Sequence, residues 1–306
     1  MSMDMPPAAM AQDNVSALFL GFLMGAILFG AALLQTYQYF MTYTRDSKRR
    51  KFMIAAVLIL DTLHLVFSGI MMYLTISRPL RFTDDSLLWA LKGFATIKAL
   101  LIVLVQSYYL SIIWQFASSL TLNIVVSKVI RSICVMLFIY AIGMAIVFLT
   151  YLEQDSRFFN FSPSFQTIVY VAFSSTAVID STIAGVLSYL LVKASPGGRA
   201  RTRNVITFLV LFFVGTGLLT AIMAITTIAV YATRPSTVLY LAIEFAVPRL
   251  YANSILAMFN SKARLRKRME VTTELKLSSM LLFDDLPSGS DSDSPPSPEP
   301  PEAEKP

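Results

Sequence analysis

The chain has 306 residues, 56% hydrophobic and only 14% charged, with a net charge of +6. Soluble domains carry about 25% charged residues, so this composition, with a mean hydropathy of +0.64, excludes an ordinary water-soluble globule and points to lipid as the solvent. A single cysteine, Cys134, excludes an intrachain disulfide, and a single histidine, His64, excludes a membrane cytochrome of the multi-histidine haem type and multi-histidine zinc chemistry.

Residues 1–16 hold Asp4 and Asp13 and no Lys or Arg. A cleavable signal would open on a basic stretch, so the first apolar segment reads as a retained helix. A membrane-crossing helix needs roughly 20 mostly apolar residues. Seven segments qualify: 17–41, 52–76, 87–113, 128–152, 166–192, 205–231 and 236–259. The sequence therefore predicts an all-α polytopic integral membrane protein with seven transmembrane helices. Its transmembrane domain covers 17–259, after a short extracytoplasmic N-terminus at 1–16.

Orientation follows from Lys and Arg in the short loops. One side collects Arg45, Lys48, Arg49, Arg50 and Lys51; Lys128 and Arg131; Lys193, Arg199, Arg201 and Arg203; and Lys262, Arg264, Arg266, Lys267 and Arg268. The other side holds Arg78, Arg81, Arg157 and Arg234. The excess places the N-terminus outside and the C-terminus in the cytoplasm. Two sequons, Asn14-Val15-Ser16 and Asn160-Phe161-Ser162, fall on the expected outside.

Residues 260–283 form a basic juxtamembrane segment that favours anionic lipid by about 1 kcal/mol per basic residue. From 284 to 306, Asp, Glu, Ser and Pro dominate. Such a stretch cannot bury a core, so a disordered acidic cytoplasmic tail is expected. Ser290, Ser292, Ser294 and Ser297 stand there in acidic or proline-flanked contexts as candidate phosphorylation sites.

An ionisable residue inside a membrane is costly, which makes each one a functional candidate. Asp61 and His64 lie in span two, Lys92 and Lys98 in span three, Asp180 in span five, and Glu244 and Arg249 in span seven. At ~1.5 Å per residue, Asp61 and Arg249 lie roughly 13 and 15 Å from the cytoplasmic ends of their spans, and Lys98 and Glu244 both near 22 Å. The matched depths predict two ion pairs, Asp61 with Arg249 and Lys98 with Glu244. Asp61, His64 and Ser68 share one helix face, predicted to point into the bundle. Tyr37, Tyr39, Tyr43, Tyr108 and Tyr109 suit interfacial anchoring. Gly21, Gly25 and Gly30 allow close helix contact in span one.

Three segments carry a resemblance. They are Gly30-Ala-Ala-Leu-Leu-Gln35-Thr-Tyr37-Gln-Tyr39-Phe40, followed by Tyr43 and Asp46; Leu60-Asp61-Thr62-Leu-His64; and Arg249-Leu-Tyr251-Ala-Asn253-Ser254-Ile-Leu-Ala257-Met-Phe-Asn260-Ser-Lys-Ala-Arg264. Together they resemble a basidiomycete fungal family of seven-span proteins catalogued as a domain of unknown function, 6534. The resemblance covers roughly 17–268; it implies the fold and topology and no established activity. The third segment follows Pro248, which removes an intrahelical hydrogen bond and kinks a helix. Pro248, Arg249, Tyr251, Asn253 and Ser254 thus form a span-seven motif.

No catalytic residue, metal site or cofactor is assigned, because no Gly-x-Ser-x-Gly, P-loop or intramembrane aspartyl-protease motif is present; an enzyme is not expected. Span count, basic inner loops and the tail favour a receptor-like or sensory protein. It would take an unknown small ligand and a cytoplasmic effector on the inner loops and tail. A small-solute or proton transporter using Asp61, His64, Lys98, Asp180 and Glu244 is one alternative, and a membrane scaffold or lipid-interacting protein without turnover is another. Membrane lipid is a partner in every case, and nucleic acid in none.

Overall fold

The computed structural model describes residues 7–44, 46–77, 85–120, 123–154, 163–194, 200–233 and 239–269, with side chains undescribed in 7–14, 163–166, 200–214 and 261–269. All its regular elements are helices: α1 (Pro7–Thr42), α2 (Lys48–Ser77), α3 (Asp85–Ser119), α4 (Ile124–Gln154), α5 (Pro163–Lys193), α6 (Ala200–Thr233), α7 (Leu239–Glu244) and α8 (Val247–Met269). Six of them, α1 to α6, are long and apolar enough to cross a membrane. The chain is built as a multi-pass membrane protein. The segment predicted at 236–259 is split between α7 and α8. Asn160-Phe161-Ser162 and the tail serines Ser290, Ser292, Ser294 and Ser297 lie outside the described residues, and Asn14 falls within α1.

Each helix shows its neighbours a stripe and the surroundings an apolar back. In α2 the buried residues recur as Arg50, Met53, Ile54, Val57, Asp61, His64, Ser68, Met71, Met72 and Thr75, a helical period that puts every polar member on the inward face. Helix α4 buries only Ser127, Ile130, Cys134, Ala141 and Leu152. Its Met136 and Ile139 stand 71% and 65% exposed, the outward apolar belt that lipid would solvate.

The helices follow one another round a ring that α7 and α8 close against α1; α8 also touches α2, α3 and α6. Two core clusters divide the bundle. One gathers Tyr39, Met53, Phe116, Ile130, Leu191 and Phe259, beside the basic residues that begin α2 and α4 and end α5. We call this the basic end. The other gathers Leu18, Met72, Leu91, Leu152, Val169 and Tyr240, at the far end. Helices α1 to α5 therefore alternate in direction. Together α7 and α8 run from the far cluster to the basic one, parallel to α1.

Candidate functional site

The break between α7 and α8 organises the middle of the bundle. Pro248 has no N–H to offer the Glu244 carbonyl one turn back. The chain tightens through Phe245-Ala246: the Ala246 N–H donates to the Ile243 carbonyl at 3.0 Å and the Arg249 N–H to the Ala246 carbonyl at 3.1 Å. The Arg249 N–H is thereby diverted from the Phe245 carbonyl, its regular helical acceptor. Arg249 Nη1 donates to that carbonyl instead, so the side chain replaces the amide that the turn took away.

The same Nη1 lies 2.8 Å from His64 Nδ1. A guanidinium only donates, so Nδ1 is the acceptor and the ring proton belongs on Nε2. The imidazole packs on Phe94 with centroids 4.3 Å apart. Arg249 Nε stands 3.9 Å from Asp61 Oδ1, and both side chains are fully buried. Among the described residues, neither Asp61 oxygen accepts a hydrogen bond, and Arg249 Nε, Arg249 Nη2 and His64 Nε2 have no partner. Helix α1 lies directly over this group because two positions lack a side chain. A Cβ on Gly25 would sit 2.8 Å from the Phe245 carbonyl oxygen and 3.3 Å from Arg249 Nε, and one on Gly21 would strike the Ala242 backbone.

On the other side of the break, Lys98 of α3 pairs with Glu244 of α7. Thr227 of α6 donates to the second carboxylate oxygen at 3.2 Å. Lys98 Nζ lies 4.6 Å from the centre of the Phe173 ring, a cation–π contact. The lysine also lines a small cavity of about 80 Å³ between α3, α4 and α5.

Nearer the basic end, Asp180 of α5 receives Gln106 Nε2 at 2.9 Å and the Tyr251 hydroxyl. Tyr109 and Ser254 share a hydrogen bond of 2.8 Å beside it. Asp180, Tyr251, Tyr109 and Ser254 help wall a cavity of about 270 Å³ between α1, α3, α5, α6 and α8. Next to it, polar side chains knit α1 to α8. Gln35 Nε2 donates to Asn253 Oδ1 at 3.1 Å, and Asn253 Nδ2 to the carbonyls of Leu28 and Arg249, each at 2.8 Å. Asn260 Nδ2 donates to the Gln35 carbonyl at 2.8 Å. At the mouth of α1, Tyr39 donates to Asp46 at 2.5 Å and Arg50 pairs with Asp46 at 2.7 Å.

Residues 176–264 match the model of a family of unknown function, DUF6534. No curated protein matches the chain. The matched segment contributes Asp180, Thr227, Glu244, Arg249, Tyr251 and Asn253, the α5-to-α8 side of everything described above. Their partners Gln35, Asp61, His64, Lys98 and Gln106 come from α1 to α3, before it.

The structure brings Asp61, His64 and Arg249 into one buried group and Lys98 and Glu244 into contact. Asp180 stands apart, with neutral donors in place of a cation. The other sequence-predicted residues take varied places. Lys92 pairs with Glu153 at 3.0 Å near the far end. Ser68 is buried and donates to the His64 carbonyl. Gly30 has no neighbour that a Cβ would meet. Two anchoring expectations are corrected. Tyr39 is fully buried and Tyr109 is 8% exposed, because each hydroxyl has a polar partner inside the bundle; Tyr37, at 61% exposed, faces outward. Sequence reasoning misses Gln106, Thr227 and the buried Asp46–Arg50 pair. The signal for Gln106 and Thr227 is only a short polar step in an apolar run, Gln106 beside Ser107 and Thr227 beside Thr226. Arg50 reads in the sequence as one more basic loop residue.

Proposed function

We propose that the chain crosses the membrane seven times, with its N-terminus outside and its C-terminus in the cytoplasm, and acts as a receptor-like protein whose last crossing is the responsive element. The seventh crossing is the α7–α8 pair. Residues 239–260 run in step with α1, Gly21 against Ala242 and Gly25 against Phe245, and Tyr39 against Phe259. At 1.5 Å per residue that stretch is about 33 Å long, enough for the hydrocarbon core.

One observation carries the receptor-like reading: α8, one of the helices that line the ligand-sized cavity, begins at the break in mid-bundle. A small molecule held against Tyr251 and Ser254 touches α8, and α8 hangs on the turn at Phe245-Ala246. Irregular backbone at membrane depth is tolerated only where protein or a water-filled cavity surrounds it. It is also the place where a helix can pivot. The basic residues at one end of the bundle supply a surface for an acidic effector.

The test is purification of the full chain from its own membrane in mild detergent. A cytoplasmic protein should co-purify, and charge reversal at Arg49 and Lys51 should release it while the bundle stays monodisperse. No such protein, with the chain stable and intact, would count against the receptor-like reading.

The uncoupled polar atoms of Asp61, His64 and Arg249 favour a second reading, a transporter for protons or a small solute. Unpaired buried polar atoms at mid-depth are a feature of ion and proton pathways. That reading requires flux in reconstituted vesicles that is lost in Asp61→Asn.

A further inference from the structure

We propose that the cavity beside Asp180 binds a small organic ammonium ion, its charged head on the Asp180 carboxylate and its hydrocarbon body against α6 and α8. This names the ligand class for the receptor-like reading. It rests on that reading for the consequence of binding, and on the cavity alone for the binding itself.

The chemistry of the wall selects the charge. Asp180 is the one carboxylate among the described lining residues, and none of them is a Lys or Arg. It is 7% exposed and has no cationic partner among the described residues. Its oxygens are oriented by neutral donors, Gln106 Nε2 and the Tyr251 hydroxyl, with Thr220 in reach as a third. Neutral donors supply hydrogen bonds but no positive charge. They leave the net charge uncompensated, and in a lipid-surrounded interior that is expensive. Lys98 and Arg249, two cations in the middle of the bundle, are engaged with Glu244 and with His64 and the Phe245 carbonyl.

Gln35 also lines the cavity; its amide nitrogen donates to Asn253, and its amide oxygen is buried with no hydrogen-bond partner among the described residues. The carboxylate calls for a ligand with N–H donors. Two tyrosine rings, Tyr109 and Tyr251, are also in the lining and favour a cation. Ile183, Leu219, Leu250 and Ala257 complete it with apolar surface. A metal ion is not the match: among the described residues no cluster of His, Cys, Asp or Glu side chains could hold one. The volume of about 270 Å³ lies just under the usual range for drug-sized ligands, so the body is a short chain or one ring.

The experiment uses the purified full chain in nanodiscs and two matched pairs of probes, 2-phenylethylammonium with 2-phenylethanol and n-hexylammonium with n-hexanol. Binding is read by titration calorimetry. At least one ammonium should bind saturably and at least tenfold more tightly than its alcohol. Asp180→Asn should abolish that preference. Ala257→Leu, which fills the apolar side and leaves the carboxylate untouched, should weaken the ammonium at least tenfold. Where Asp180→Asn is not monodisperse, Ala257→Leu decides. Absence of saturable binding by either ammonium, equal binding of alcohol and ammonium, or full binding in Ala257→Leu each overturns the proposal. An ammonium that binds in the predicted way, with no effector recovered from the native membrane, supports the proposal and removes the receptor-like reading.

Discussion

The two ion pairs flanking the break in the last helix are built differently. Lys98 and Glu244 are in contact, and a threonine hydroxyl and an aromatic ring complete their surroundings. Asp61 and Arg249 are more deeply buried, yet stand 3.9 Å apart with no hydrogen bond between them. The arginine spends its hydrogen bonds on His64 and on the backbone carbonyl that the turn exposes. The first pair joins two helices; in the second, one partner also repairs the fold. Substitutions at the two pairs should therefore differ in size and in how they are rescued.

The largest effect should come from Arg249→Met, which leaves Asp61 buried without a counter-charge and the Phe245 carbonyl without its donor. Removing one member of a buried pair costs about 3–5 kcal/mol, read as a drop in unfolding midpoint in detergent. Adding Asp61→Leu should recover only part of that loss, because the carbonyl stays uncapped. Full recovery in the double variant would reduce the pair to simple charge neutralisation.

Glu244→Gln should cost less, roughly 1.5–3 kcal/mol, since Lys98 keeps its aromatic neighbour. The exchange Lys98→Glu with Glu244→Lys should restore most of the stability, and failure to do so would show that Thr227 and Phe173 set the polarity of the site. Gly25→Val should follow at roughly 1–3 kcal/mol, because the new side chain meets the Phe245 carbonyl and the arginine together. The smallest effect is expected from Asn253→Ala, about 1 kcal/mol. Its side chain lies on the α1 interface, bonded to Gln35 and to the Leu28 and Arg249 carbonyls.

The legible part of the molecule was the part that obeys a period or a length. Long apolar runs fixed α1 to α6, and the spacing of Asp61, His64 and Ser68 fixed the inward face of α2. Counting rise along each helix was enough to match Asp61 with Arg249 and Lys98 with Glu244. It could not show that Arg249 would prefer a backbone carbonyl, because that acceptor exists only once the chain turns. Pro248 announced a kink but not its place, three residues earlier at Phe245. Tyrosines at helix ends read as interfacial, and only packing reveals that Tyr39 turns inward to Asp46. Gln106 and Asp180 lie 74 residues apart, and no local pattern joins them.

All of these contacts require the final helix to run beside the first and in the same direction, and the proposed topology has it cross the bilayer. Single cysteines replacing Ala11 and Ser279, introduced in a Cys134→Ser background and probed with a membrane-impermeant maleimide in sealed cells, test this directly. The cysteine at position 11 should label in intact cells, and that at position 279 only after permeabilisation. Labelling of both positions in intact cells, or of neither before permeabilisation, would contradict a seventh crossing.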